Sequence, residues 1–446
     1  MDQGQEEKLR ELSEQYASGK VTRREFMGRG IALGFSLATL SPLLAMAGQA
    51  SASSKRVAQI TFMKPPHISD DRSIQEHIIA VFERSHPNIK VNFTSYNWAT
   101  MNAQLDAIYA APNPPDVAYL TDEVYPKFAQ AGALEPLNTY VDEASFRHDR
   151  AEYFPFPWKL GHYFGKQYGL PVLAACYVLY YNRDLLAKAH LKTVPDTREA
   201  FLAAAEKLTK RGEVWGVTVR QRLADFAFWD WFPYLHDAGA NILTSDQKAA
   251  ALNTPAAAAG TQFLADLQFK YKVAPPVGLY DWNGDIALFE GGKAAMQYGD
   301  TTEIVTLQKK PPPFKWDIAM SPRGPKGQTV MGNYGFLCMS SKSKNKEAAW
   351  EFIKFYQQPR IIEPYAEEIT LQVCRKDATR NIYAGNPVMR KVQDEFVPKI
   401  EGLQANPHMA EILDSIWPEI VACYAGQQTA AEALSKAAQL INGIIA

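Results

Sequence analysis

From residue 57 onward, short apolar runs alternate with amphipathic stretches, and this alternation constrains the fold more than any other feature of the chain. Val57 to Phe62 reads as a strand, Ile89 to Tyr96 as a second one introduced by Pro87, and Asp116 to Leu120 as a third. Between them, Ser73 to Ser85 carries Ile74, Ile78 and Phe82 at helical spacing. Met101 to Ala110 is helical up to the break at Pro112, and Glu123 to Ala131 is a helix closed by Gly132. Repeats of this kind predict a mostly parallel sheet with helices on both faces. Ligands of such sheets bind beyond the carboxyl ends of the strands. Those ends are Met63 to His67, Asn97-Trp98 and Thr121 to Glu123, where Asp122 suits both an N-cap and a ligand contact.

The middle of the chain continues the pattern. Tyr163 to Asn182 reads as two strands separated by Pro171, a stiff crossover between lobes. Helices follow at Arg183 to His190, at Thr197 to Arg211 with Asp196 as cap, at Ala224 to Ala238 and at Pro255 to Lys270, with a strand at Trp215 to Val219. Phe289 to Asp300 reads as helix end, Gly291-Gly292 stop, and a short buried strand from Ala294 to Tyr298 that delivers Gly299 to a cleft. Its Gly-Gly-Lys is not a phosphate loop, because Ala287 and Ala294 stand where such a loop needs Gly and Ser or Thr. Trp316 to Met320 and Phe336 to Ser340 are further strands, and Lys344 to Tyr356 is an amphipathic helix. The tail is helical, at Asn386 to Phe396, His408 to Val421 and Thr429 to Ile445, with no strand.

Charge excludes some partners. The 47 Lys plus Arg nearly cancel the 48 Asp plus Glu of the 446 residues, so no global field favours nucleic acid. Cys176, Cys338, Cys374 and Cys423 lie far apart and form no zinc or redox pair, and one disulfide among them stays open. No metal or other cofactor is expected, since the eight histidines are scattered and no nucleotide or zinc motif is present.

The first fifty residues read separately. Ile31 to Met46 is apolar but short and interrupted by Gly34, Ser36 and Pro42, which suits a signal h-region better than a membrane span. Thr22-Arg23-Arg24-Glu25-Phe26-Met27 precedes it and Ala50-Ser51-Ala52 follows as a small-x-small cleavage site. The segment 1–52 resembles a twin-arginine export signal, which implies export to a bacterial periplasm. The run Glu6 to Tyr16 is expected to be a marginal helix of that signal.

Seven short stretches then occur in a specific order. They are Pro115-Asp116-Val117, Tyr180 to Leu186, Asp237 to Asn241, Leu252 to Pro255, Phe289 to Met296, Pro322 to Gly327 and Ser341 to Phe352. Together they resemble the family-one extracellular solute-binding proteins that feed carbohydrate-uptake ABC transporters. The resemblance implies an α/β, two-lobed periplasmic-binding-protein fold of type II-like topology, with several hinge crossovers and a helical C-terminus. The expected lobes are 53–171 with 299–354, and 172–298 with 355–446, the strand Ala294 to Tyr298 returning the chain to the first. The implied ligand is a sugar, oligosaccharide or polyol, the implied partners are ABC permease subunits, and a monomer is expected.

A sugar offers a C–H face to Trp or Tyr and hydroxyls to polar groups. Candidates near probable strand ends are Trp98, Asp122, Trp229, Trp231, Trp282, Asp300, Asn333 and Tyr334. Trp229 and Trp231 also suit a buried helix face, whereas Trp282 is flanked by Tyr280, Asp281 and Asn283 as in a polar loop. Many relatives carry a tryptophan shortly after the glycine that ends the strand Ala294 to Tyr298, but Gly299 is followed here by Asp300-Thr301-Thr302-Glu303. A small sugar, a polyol or a non-sugar solute therefore stays open. So do a sensor role and an exported carbohydrate enzyme, although no hydrolase elbow or metalloprotease motif supports the last.

Overall fold

The computed structural model describes residues 3–17, 21–35, 40, 57–222, 226–380 and 382–446. They form two compact units, Met1–Gln59 with Glu83–Lys90, and Ile60–Phe82 with Val91–Ala446.

In the first unit the helices Gln3–Ala17 and Arg23–Ala32 enclose a small apolar cluster of Leu9, Leu12, Val21, Phe26, Phe35 and Leu40. Thr22 and Glu25 form a capping box at the start of the second helix, Glu25 receiving the Thr22 backbone N–H at 2.7 Å. Arg23 and Arg24 are its first two residues. Most of the apolar run Ile31 to Met46 and the whole segment Ala50 to Ala52 lie outside the described residues. No described helix is long and apolar enough to cross a membrane.

The strands are β1 (Ala58–Met63), β2 (Ile89–Thr94), β3 (Val117–Thr121), β4 (His162–Tyr163), β5 (Lys166–Gln167), β6 (Gly169–Asn182), β7 (Met296–Asp300), β8 (Trp316–Ala319), β9 (Val330–Met339), β10 (Gln372–Val373) and β11 (Ile400–Glu401). The main sheet runs in the order β10-β6-β9-β3-β1-β2, with β7 and β8 on β6 and β11 on β9. β1 and β3 are parallel as expected, but β3–β9, β9–β6, β6–β7 and β6–β8 are antiparallel, so the sheet is mixed. The reason is topological. β6 carries the chain from one core to the other and β9 carries it back, so the two must run in opposite senses.

Among the described residues, two apolar cores mark the two lobes of this α/β fold. One gathers Met63, Leu105, Leu120, Phe128, Phe336 and Cys338, and the other Leu179, Phe201, Trp231, Leu264, Met296 and Ile416. Ala174 of β6 belongs to the first and Tyr177 to the second, and along β9 Met331 belongs to the second and Tyr334 to the first. A third crossing lies between Cys374 of the first core and Leu403 of the second. These crossings form the hinge.

Several expectations change. Pro171 does not separate two strands: β6 is continuous over 14 residues, and the register shift between Pro171 and Leu173 absorbs the missing N–H as a bulge opposite Phe336. The handover comes later, since Cys176 pairs with Gly332 of β9 and Tyr177 with Asp300 of β7. β7 pairs with the second half of β6, so the return to the first core is made by β9. Of the two glycines ahead of β7 only Gly292 is left-handed, with φ of 68°. The strand expected at Trp215 to Val219 is reduced to single bridges from Trp215 to Ala294 and from Thr218 to Gln297. Thr197, not Asp196, caps its helix, because Asp196 is engaged by Arg323. β11 adds a short strand to the tail, whose final helices Met409–Tyr424 and Ala430–Ile445 pack in the second core.

Candidate functional site

The carboxyl ends of β1, β2 and β3 converge. Asn97 Oδ1 accepts the Ala99 N–H at 2.8 Å and so starts a single tight turn, Trp98–Thr100, that points the Trp98 indole back over β1. There Trp98 Nε1 donates to the Pro66 carbonyl at 2.6 Å, and its ring centroid lies 5.6 Å from that of His67. His67 is held in turn, its Nδ1 lying 2.9 Å from the Tyr365 hydroxyl, which donates to Asp71 Oδ1 at 2.6 Å. The other Asp71 oxygen pairs with buried Lys64. Desolvation pushes Lys64 down to about 8 and His67 well below its usual value, so the imidazole facing the cleft is neutral at pH 7.

At the end of β3 the helix expected from Glu123 begins later, at Tyr125, with Val124 as N-cap and Pro126 in its first turn. Asp122 is therefore not a cap. Its Oδ1 accepts from Asn333 Nδ2 at 2.9 Å and from the Tyr334 backbone N–H at 3.3 Å. The same Asn333 amide donates to Glu123 Oε2 at 3.0 Å. Both carboxyls are buried, and desolvation raises both above the ordinary carboxylate range, for Asp122 with the Glu123 charge adding to it.

The second core contributes the opposite wall. Tyr177 stacks on Trp229 with centroids 5.1 Å apart and planes at 16°, and the Arg220 guanidinium sits 5.2 Å from the Tyr177 ring centre. Arg220 is clamped by Asp230, both buried. At the end of β7, Asp300 Oδ1 accepts the Thr302 backbone N–H at 2.7 Å and the Thr302 hydroxyl, a turn that presents both residues to the cleft. Desolvation raises Asp300 as well.

Two adjoining cavities result. The inner one, about 220 Å³, is lined by His67, Trp98, Tyr119, Ala175, Tyr177, Phe226, Asp300, Thr302 and Asn333 among others. The outer one, about 460 Å³, is lined by Trp98, Met101, Glu123, Phe226, Phe228, Leu413 and Asp414 among others. Flat aromatic faces beside carboxyl, amide and hydroxyl groups, with residues of both cores on the walls, can stack a ring and hydrogen-bond its substituents.

Four of the eight residues singled out from sequence come together here. Trp98, Asp300 and Asn333 line the inner cavity, and Asp122 lies behind Asn333. Trp229 is fully buried and supports Tyr177 from behind. Trp231 is a core residue lining neither cavity, its Nε1 donating to Thr261 at 2.9 Å and its ring packing on Trp417. Tyr334 follows Asn333 on β9 and so faces the other side of the sheet, against Phe156. Trp282 is the first residue of the helix Trp282–Glu290, after its cap Asp281, and its side chain lies outside the described residues.

Tyr177, Phe226 and Asp414 were not foreseen, and Glu123 and His67 were placed at strand ends without being singled out as candidates. Glu123 and His67 adjoin strand ends and were within reach of the argument, whereas Phe226 and Asp414 are brought in by tertiary packing alone. Among the described residues no group of three or more His, Cys, Asp or Glu could hold a metal, and all four cysteines are buried free thiols.

A two-lobed α/β fold with a cleft over its crossing strands defines the class of extracytoplasmic solute receptors. The chain belongs to the bacterial extracellular solute-binding protein family, whose sequence model matches residues 64–361. It is 27% identical over 422 residues to a binding protein of Brucella abortus, covering 92% of this chain and 97% of the relative. It is 23% identical over 406 residues to the sn-glycerol-3-phosphate-binding periplasmic protein of Rhizobium meliloti, covering 83% and 86%. A solved solute-binding protein of an ABC transporter from Thermotoga lettingae, bound with α-D-tagatose, matches with a TM-score of 0.78 at 24% identity, covering 87% of this chain and all of that one (100%). A maltose-bound T. maritima protein matches with a TM-score of 0.77 at 22% identity, over 86% and 99%.

Proposed function

We propose that the protein captures a sugar, oligosaccharide or polyol between its lobes and delivers it to an ABC-type importer without chemical change. The observation that carries this reading is the inner cavity itself. Trp98 stands on one wall and Tyr177 on the other, with Asn333 and Asp300 placed to meet hydroxyls at the edges of a stacked ring. Sugar-bound relatives of the same fold support the ligand class.

The lobes are proposed as 53–171 with 299–354 and 172–298 with 355–446, with three adjustments that strand pairing and core membership support. The boundary on β6 moves to Cys176 and Tyr177, the start of the returning segment moves from 299 into β9, between Met331 and Tyr334, and the segment through β10 joins the first lobe because Val373 pairs with Leu173. Export by the twin-arginine route and a monomeric state complete the proposal. Closure on ligand is then a population shift that permease subunits read as occupancy.

The test is a screen of sugars and polyols by thermal melting together with an assay for turnover. A true ligand present at about a hundredfold excess over its dissociation constant stabilises the fold by about 2.7 kcal/mol. Conversion of a hit to product, with no stabilisation by unreacted compound, refutes the transport reading.

A further inference from the structure

We infer that the cleft is built for a solute carrying a protonated amine beside its hydroxyls, such as an amino sugar or aminocyclitol, with Glu123 as the ammonium acceptor. This rests on the solute-binding reading above and narrows its ligand class.

The first observation is an unsatisfied acceptor. Glu123 is 3% exposed and lines the outer cavity, yet only its Oε2 is engaged, by Asn333. Glu123 Oε1 makes no hydrogen bond, and neither does Oδ2 of the adjacent Asp122. Two neighbouring buried carboxyls thus share the Asn333 amide and the Tyr334 backbone N–H, with one oxygen of each left without a donor. Buried acceptors in native folds are nearly always paired, and one left without a donor in a residue that lines a cavity calls for a donor from outside the chain.

The second observation is the sign of the walls. Glu123 and Asp414 line the outer cavity, Asp300 and neutral His67 the inner one, and no lysine or arginine lines either among the described residues. The buried cations nearby are spoken for, Arg220 by Asp230 and Lys64 by Asp71. Lys127 acts on Asp414 from outside the cavity and is itself ion-paired with Asp106 at 2.6 Å.

Glu123 comes from the first lobe and Asp414 from the helix Met409–Tyr424 in the second. As the cavity narrows, two carboxyls approach across it. A neutral sugar fills the space and donates hydroxyl protons but leaves that repulsion in place. An ammonium turns it into attraction and favours the ionised form of the Asp122–Glu123 pair, whose protons burial holds more tightly than usual. A phosphate or carboxylate on the solute meets carboxyls on both sides and is refused.

The experiment is calorimetric titration of the full chain with matched probes: glucosamine, glucamine and streptamine against glucose, sorbitol and inositol, with glucose phosphate as the anionic control. At least one amine should bind roughly tenfold or more tightly than its hydroxyl counterpart, as a charged hydrogen bond implies. Its binding should release a proton, read from titrations in two buffers of different ionisation enthalpy. Glu123→Gln should abolish the amine preference, read as the ratio of amine to neutral affinity in the folded variant. If that variant does not fold, Asp414→Asn should still reduce the preference.

Neutral probes that equal or exceed their amines in the wild type overturn the inference and leave the sugar-binding reading intact. A folded Glu123→Gln that keeps the preference overturns the assignment of Glu123. If no sugar, polyol or amine binds, the carbohydrate reading falls and this inference with it.

Discussion

The indole of Trp98 and the ring of Phe226 meet edge to face, centroids 6.1 Å apart and planes at 83°. Trp98 packs against the first core and Phe226 against the second, so the pair is a contact between lobes. Both residues border the inner and the outer cavity. Phe226 holds a left-handed backbone, φ of 56°, a costly conformation for a bulky side chain and one that clusters at ligand sites. Trp98→Ala should therefore weaken ligand binding by about tenfold or more, since an aromatic anchor is lost from the cleft. The melting temperature should change little, because Trp98 is only partly buried. Equal affinity in the variant removes Trp98 from the site.

The Arg220–Asp230 pair is predicted to matter through stability. Both side chains are buried, 2% and 1% exposed, and Arg220 also covers Tyr177. Asp230→Ala strips a buried guanidinium of its counter-ion and should cost about 3–5 kcal/mol in denaturant unfolding. A loss under about 1 kcal/mol would mean that the pair is solvated in solution.

Asp122 and Glu123 lead to a pH dependence of defined sign. Both bind their protons more tightly in the folded chain than the ordinary values of about 3.9 and 4.3. Their stabilising contribution is complete below those values and is lost as pH rises through the raised folded pKa. Ligand-free protein should thus lose stability from about pH 4 toward neutrality, and Asp122→Asn should flatten that fall. Asp237, pushed up to about 6 by burial, adds a slope of the same sign in both proteins, so the difference between the two curves isolates the pair. Parallel curves would contradict the buried acid pair.

Gly299 is predicted to admit no side chain. A Cβ there would stand 2.3 Å from Oε1 of buried Glu303, whose Oε2 accepts from Gln297 at 2.8 Å. Gly299→Ala should destabilise by about 1–3 kcal/mol through overpacking. Combined with Glu303→Ala the two penalties should be sub-additive, which a double-mutant cycle on unfolding curves will show.

The alternation of strands and helices up to Gly132 was legible because each element there obeys a local period, and β1, β3 and the helices between them lie within a residue or two of where periodicity puts them. The direction of β9 was not, because strand polarity within a sheet depends on which lobe the chain comes from. Pro171 misled because a proline can be absorbed by a bulge as readily as it can end a strand. At the site, Trp98 stands just past the carboxyl end of β2, whereas Asn333 lies within β9, whose alternation turns Tyr334 away from it. Trp231 shows why aromatic residues on a helix are poor site markers: all of Phe228 to Leu235 is buried.

The continuity of β6 bears on how occupancy becomes a signal. Ala175 and Tyr177 both border the inner cavity, and between them Cys176 gives its carbonyl to the Thr301 N–H at 3.0 Å. A solute held in the proposed site would therefore lie across the joint where one ribbon exchanges its neighbours. Reorienting the lobes must twist that ribbon about this joint, and a molecule resting on it acts as a splint. The quantity that the solute sets is then the torsion of the crossing strands, β6 beside β9, which both lobes inherit.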